Sequence, residues 1–395
     1  MSWPGTELVL LDTADADSYS LAIEGAKGFL ARPRGKPVPG DLRILLRAEV
    51  APPTASDGTA LQASHIALSP DGKTAFVTYM LRGEARFGAL DVFDVSSAAS
   101  PRLLSHHKFP DADLSAVAFA SNTVYLAGSK ENGAGNAWVV SVPFRGNDIV
   151  IGAYRETHLP GYFAADIAVQ GDALLVATGT SSGGVAAGLY VLDANDLSVV
   201  SASDTTGLDD LRSVATDGGA VAAFTGQWPV ETPTSAAKLR FYDGATLSNS
   251  VDLPMPAFSL QAEAKSRMEF IGSYLYVASN RSGVAVVDPA AKTLVATIPP
   301  PDLDPAAVPS ANQSSNAVSA GFANSKTLFF IANGEAGLWV GDGDGVLKTD
   351  GVPGHGVAGT IRFGSGQSVN YVAAKNGLVV AAAGTGGLKI LELVE

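Results

Sequence analysis

Ser64–Met80, SHIALSPDGKTAFVTYM, followed by Gly88–Ser96, GALDVFDVS, lays out one structural unit. A short apolar run meets an Asp-Gly turn, a second run alternates apolar and polar residues, and a third ends at an Asp. Alternation of this kind is the period of a β-strand, and Asp-Gly between two such runs is a hairpin signal. The phrase returns at Ser115–Ser129 (SAVAFASNTVYLAGS), Ala165–Gly179 (ADIAVQGDALLVATG) and Arg212–Gly226 (RSVATDGGAVAAFTG). It returns again at Arg267–Pro289 (RMEFIGSYLYVASNRSGVAVVDP), Asn316–Asp342 and Asn370–Leu393. The first runs begin near Ile66, Val117, Ile167, Val214, Met268, Val318 and Tyr371. A repeat of about 50 residues built from short strands is the mark of radial blades. The reading is an all-β, seven-bladed β-propeller of four-stranded antiparallel blades.

The two ends of the chain complete each other. Leu388–Glu395 (LKILELVE) is a third strand with no fourth after it, and Asp41–Pro52 (DLRILLRAEVAP) is a fourth strand with no blade before it. Joining them closes the ring and removes an open sheet edge. Residues 41–395 therefore form one propeller, and residues 1–40 an N-terminal extension with a strand candidate, Leu8–Asp12, whose place the sequence leaves open, reinforcement of the closing blade being one option. Asp71-Gly72, Asp217-Gly218 and Asn376-Gly377 are expected as two-residue type I′ turns.

Composition sets the outer limits. Of 395 residues, 46% are hydrophobic and only 16% charged, and 43 glycines suit many tight turns. A net charge of −13 opposes phosphate-backbone binding, so no nucleic-acid partner is expected. The absence of cysteine excludes disulfides and thiolate metal sites. No apolar stretch reaches the roughly 18 residues of a transmembrane helix. The start, MSWPGTELVL, lacks the basic and apolar regions of a leader. The acidic, Ala/Gly/Ser/Thr-rich composition favours a periplasmic or extracellular protein whose leader has been removed, with a cytoplasmic setting as the other reading.

Gly88–Pro101, GALDVFDVSSAASP, resembles the unit of bacterial LVIVD-repeat propellers, and Ser282–Ile298, SGVAVVDPAAKTLVATI, is similar to the YVTN surface-layer-type repeat. The resemblance spans most of the chain as architecture and is close only in these two stretches. It implies an exported propeller and carries over no catalytic residue.

Two candidate sites follow from the layout. The second-to-third hairpins are tight in the last three blades and expanded in the first four: Met80–Gly88, Lys130–Ala137, Gly179–Ala187 and Gly226–Ala237. Hairpin loops normally run about 2–5 residues, so four long neighbours on one face suggest a recognition surface for a protein or glycan. Trp228, Arg82, Arg86, Phe87 and Lys130 are its candidate contacts. The second site is the mouth of the central channel, where His65, Ser115, Asp166, Arg212, Arg267, Asn316 and Asn370 head the inner strands. Their convergence depends on register, because a one-residue slip turns each side chain to the opposite face.

Most enzymatic motifs fail on context. Gly179-Thr180-Ser181-Ser182-Gly183 matches a nucleophile elbow, but a second strand rather than a helix follows it. His106-His107 lies on an outer strand, where adjacent residues point apart. Asp342-Gly343-Asp344-Gly345 lacks the further acidic positions of a calcium loop. Two functions remain. The first is a non-enzymatic monomeric propeller that binds a protein or glycan through the expanded loops, with no cofactor. The alternative is a metal-dependent, lactonase-like hydrolase or lyase holding calcium or another divalent cation at the channel mouth, with Asp166, Asn316 and Asn370 as its best ligands.

Overall fold

A computed structural model of the chain describes residues 7–10, 42–83, 85–132, 135–179, 187–205, 210–226, 237–255, 265–298, 308–309, 312–323, 326–342 and 357–394. Seven antiparallel sheets form a seven-bladed β-propeller, strands running from the inner to the outer edge in chain order in blades one to six. The inner strands are Gln62–Leu68, Ala112–Ala120, Phe163–Gln170, Asp210–Thr216, Met268–Ile271, Ala317–Ala323 and Tyr371–Lys375, for blades one to seven. Blade two carries one strand more than expected. Its third strand, Ala137–Arg145, pairs with Arg155–Leu159 and, at its far end, with Asp148–Ile149.

The ring closes as the chain ends imply. Leu42–Val50 pairs antiparallel with Leu388–Val394, from Arg43 opposite Val394 to Val50 opposite Leu388. Glu7–Leu10 adds a further strand outside Leu42–Leu45. Across the join, the Ala63 amide donates to the Gly384 carbonyl at 2.9 Å, and Asn370 Nδ2 donates to the Ala63 carbonyl at 2.8 Å.

Each blade is apolar on both faces, which explains the near-continuous hydrophobic runs. In Thr123–Lys130, Val124 and Leu126 pack towards blade one with Phe76, Leu90 and Val92. The alternate residues, Tyr125 and Ala127, pack towards blade three with Ile167, Leu174 and Val176. Among the described residues one such apolar cluster fills each interface between neighbouring blades.

Only one of the three expected turns has positive φ at both central positions: Asn376 at 53° and Gly377 at 79°. In the other two only the glycine does, Gly72 at 71° and Gly218 at 97°. The reason is local. Pro70 is fixed at negative φ, and the Asp71 carboxylate accepts from Ser69 Oγ at 2.6 Å and the Lys73 amide at 3.1 Å, which holds a longer loop. Asp217 likewise accepts from the Gly219 and Ala220 amides. Ser121-Asn122, at 50° and 59°, is a two-residue turn that no glycine announces.

Candidate functional site

The inner strands of the first four blades each carry a bulge, at Ser64, Ser115, Ala165 and Arg212. One extra residue re-aims the side chains that follow it. The residues heading these strands are all buried, yet they serve three different purposes.

His65, Asp166 and Arg267 meet at the axis. Arg267 Nη1 lies 2.7 Å from Asp166 Oδ1, and His65 Nε2 lies 4.0 Å from the same oxygen. Asp166 also accepts from its neighbour, the Ile167 amide, and from Ser213 Oγ at 2.7 Å and the Val214 amide at 3.1 Å. Ser213 Oγ in turn accepts from the Met268 amide. Ser115 and Arg212 contribute backbone: their carbonyls accept from Arg267 Nη2 at 2.9 Å and Nη1 at 3.4 Å. The Arg212 guanidinium itself lies over the Phe163 ring. One guanidinium from blade five thus reaches blades two, three and four. Asn316 and Asn370 turn sideways and rivet neighbours, Asn316 Nδ2 donating to the Val369 carbonyl and Asn370 to Ala63.

Two axial residues carry no motif. The Tyr371 ring stacks on His65 with centroids 3.7 Å apart. Its phenol is held well above the usual tyrosine range by burial and by the carboxylates of Glu269 and Asp166. Glu269 lies two positions after Arg267 on the same strand, so the two share a face. Burial pushes its carboxyl up to about 7, against hydrogen bonds from Ser319 and the Ala320 amide that pull it down. His65 is held well below the usual histidine range by burial and by Arg267 and Lys265. It is neutral. The Val117 amide points at its Nδ1 at 3.4 Å, which leaves the proton on Nε2, facing Asp166.

These residues do not fit a divalent cation. A cation beside Asp166 would face the Arg267 guanidinium, and every oxygen of that carboxylate already accepts hydrogen bonds. The amides of Asn316 and Asn370 are committed between blades. Among the described residues no group of three or more His, Cys, Asp or Glu is placed to hold a metal. On the outer strand, His106 Nδ1 meets Asp91 Oδ1 at 2.5 Å while His107 Nε2 meets Ser105 Oγ, on the other face.

Glu269 makes stability depend on pH. Its carboxyl is an ordinary one near 4.5 in the unfolded chain and about 7 in the fold, so between these values the native state holds more protons and stability falls as pH rises. Glu269→Gln is therefore expected to match the parent below pH 4.5 and to exceed it by on the order of 2 kcal/mol above pH 7. Urea unfolding at pH 4 and pH 8 reads this directly, and a Gln variant less stable at both would refute it.

The expanded-hairpin face is organised differently on its two sides. In blades five to seven the five-residue loops Ser279–Gly283, Asn333–Gly337 and Ala383–Gly387 each pair with the next blade, through Asn280 with Ser315, Gly334 with Val369 and Gly384 with Ala63. Asn280, a formal glycosylation sequon, is fully buried there and accepts from Ser314 Oγ. In blades one to four the loops are longer, and Trp228, the Gly179–Gly183 match and the Asp342–Gly345 turn lie outside the described residues or run into them.

Arg86 and Lys130 come together at a groove of about 330 Å³ between blades one and two, lined also by Ala85, Asp111 and Glu131. Arg86 Nη1 lies 2.6 Å from Glu131, its Nε donates to Ser129 Oγ, and its guanidinium covers the Tyr162 ring. Lys130 Nζ lies 3.3 Å from Glu156 and 3.6 Å from Asp111, over the Trp138 ring. Phe87 does not present itself to a partner: it is buried in the core between blades seven and one, its amide donating to Asp113. An apolar ring immediately before the strand Gly88–Asp94 anchors the loop better than it serves the surface. Burial pushes the Asp113 carboxyl up to about 6. Arg82 is exposed on the same loop. A larger groove, about 530 Å³ and lined by residues such as Asn122, Phe144 and Arg145, lies at the opposite end of blade two, away from these loops.

No protein-family model and no curated protein sequence matches the chain. Among solved structures it is similar to Raptor from Chaetomium thermophilum, with a TM-score of 0.58, 12% identity and 89% of this chain covered. It spans 28% of that chain's length. It is also similar to U3-55K, with a TM-score of 0.58 and 11% identity, covering 88% of this chain and 98% of that one. At such identities the likeness establishes the propeller fold alone. Among the described residues no helix is long and apolar enough to cross a membrane.

Proposed function

We propose that this propeller is a non-enzymatic binding scaffold of the periplasm or cell exterior, which takes a protein or glycan on the face above blades one to four. The supporting observation is the asymmetry of that face. The loops of blades five to seven, five residues each, are pinned to their neighbours by backbone pairing, whereas the strands of blades one to four leave loops of seven, six, seven and eleven residues. Rigid scaffolds that carry long loops on one side are a common basis of recognition. Among the described residues the axis lends the metal-hydrolase reading little support, since Arg267 crosses it and both oxygens of Asp166 already accept hydrogen bonds. The exported setting rests on composition and on the resemblance to LVIVD and YVTN repeats.

The test is removal of one loop. Replacing residues 227–236 with a five-residue turn is expected to leave the melting temperature within about 2 °C, since loops of that length already join the same two strands in blades five to seven. Retention on a panel of immobilised glycans and envelope proteins is expected to be lost. Equal retention by parent and variant would count against the reading.

A further inference from the structure

We infer that the groove between blades one and two is a subsite for a neutral carbohydrate. The inference rests on the binding-face reading and adds to it a place and a ligand class. The groove's volume, about 330 Å³, falls at the small end of the roughly 300–1,000 Å³ of ligand sites, enough for one or two sugar rings.

Charge selects the ligand. Within reach of one another stand two cations, Arg86 and Lys130, and three carboxylates, Glu131, Asp111 and Glu156. Each cation already faces a carboxylate. An anionic ligand would have to displace Glu131 or Asp111 and leave one of them beside it, and a cationic ligand would do the same to Arg86 or Lys130. A neutral polyol breaks no ion pair. It adds hydrogen bonds to groups with unused capacity. The side chains of Glu131 and Asp111 are 82% and 67% exposed, and an ionised carboxylate has about four acceptor sites. Sugar hydroxyls can donate to these oxygens and accept from Lys130, so all partners remain satisfied.

The donors are also fixed in advance. Arg86 is held between Ser129 Oγ, which donates onward to the Tyr162 carbonyl, and the Tyr162 ring. Lys130 is held over Trp138, whose Nε1 donates to Glu156 at 2.8 Å. Side chains ordered before binding lose little entropy on binding.

The experiment passes the purified full chain over arrayed neutral oligosaccharides (glucans, mannans and galactans) and matched uronic-acid and sialylated ones. Retention of a neutral set, unaffected between 0.05 and 0.5 M salt, is expected, because hydrogen bonds to an uncharged ligand are not screened as ion pairs are (these salt levels are about one Debye-length halving or more apart). Lys130→Met and Glu131→Gln are each expected to weaken it by about 10-fold. Circular dichroism melts confirm that both variants fold, and Glu131→Gln, on an exposed side chain, keeps the test alive should Lys130→Met not. Failure of every neutral glycan to bind, a preference for the acidic set, or binding by both variants as tight as the parent's would overturn the inference. Binding lost on replacement of 227–236 but kept in both groove variants would remove this groove while leaving the binding face in place. A protein ligand found without any glycan would do the same.

Discussion

A chain lacking residues 1–50 is expected not to form a stable monomeric ring. Leu42–Val50 supplies the outer strand of blade seven, and its loss leaves Leu388–Val394 as an open edge. Ile44 is fully buried among Ile361, Val379, Leu391 and Leu393 at the interface between blades six and seven. Two ion pairs also cross the join, Arg47 with Glu392 and Lys389 with Glu49, both near 2.7 Å. The second matters more. Lys389 is almost wholly buried, and without Glu49 its ammonium keeps only the face of the Phe363 ring, 5.6 Å away. An uncompensated buried charge alone costs about 3–5 kcal/mol. Added to a lost strand, this rivals the whole stability of a domain, about 5–15 kcal/mol. The truncated chain is expected to aggregate or to run as oligomers in size-exclusion chromatography, and a peptide of residues 41–52 supplied in trans is expected to restore cooperative melting. A truncated monomer with the parent's melting temperature would show that the closure holds nothing together.

The second large effect is expected at the axis. Arg267→Met removes the guanidinium that joins blade five to the Ser115 carbonyl, to Asp166 and to the Arg212 carbonyl. Asp166 then stays buried as an anion with hydrogen bonds but no cation, so a loss of about 3–5 kcal/mol is expected. Asp166→Asn strands the guanidinium instead, at similar cost. The double variant, Arg267→Met with Asp166→Asn, is expected to recover about 1–3 kcal/mol relative to the sum of the two, the coupling of a contacting pair. Urea unfolding of the four proteins measures it. Strict additivity would mean that the pair is incidental to the fold.

Much of this was legible beforehand, for reasons that can be traced to particular residues. The blade count follows from runs beginning near Ile66, Val117, Ile167, Val214, Met268, Val318 and Tyr371, because each blade repeats one local solution to burying both faces of a sheet. Loop lengths were legible too, since hairpin register fixes where each third strand resumes. The heads of the inner strands were legible only in part. His65, Asp166 and Arg267 do meet, but Ser115 and Arg212 sit on bulges and contribute carbonyls. A bulge shifts the alternation by one residue, and where both faces of the blade are buried that shift leaves no mark in the sequence. The axial places of Glu269 and Tyr371 are not legible, because a lone carboxyl or phenol in a strand has no spacing to betray it. Phe87 looked like a contact for a partner because it stands among arginines, yet its ring is drawn into the core.

The order of the blades, their number and the fastening of one end to the other were determined by the sequence alone, because each depends on a pattern that repeats along the chain; the extra strand of blade two was not. The tertiary structure alone decided which side chains meet at the axis. Arg267 meets Ser115 across 152 positions, and Lys265 Nζ reaches Met80 Sδ across 185. An alternating pattern says which face a side chain takes, but a closed ring is needed to choose its partner from another blade.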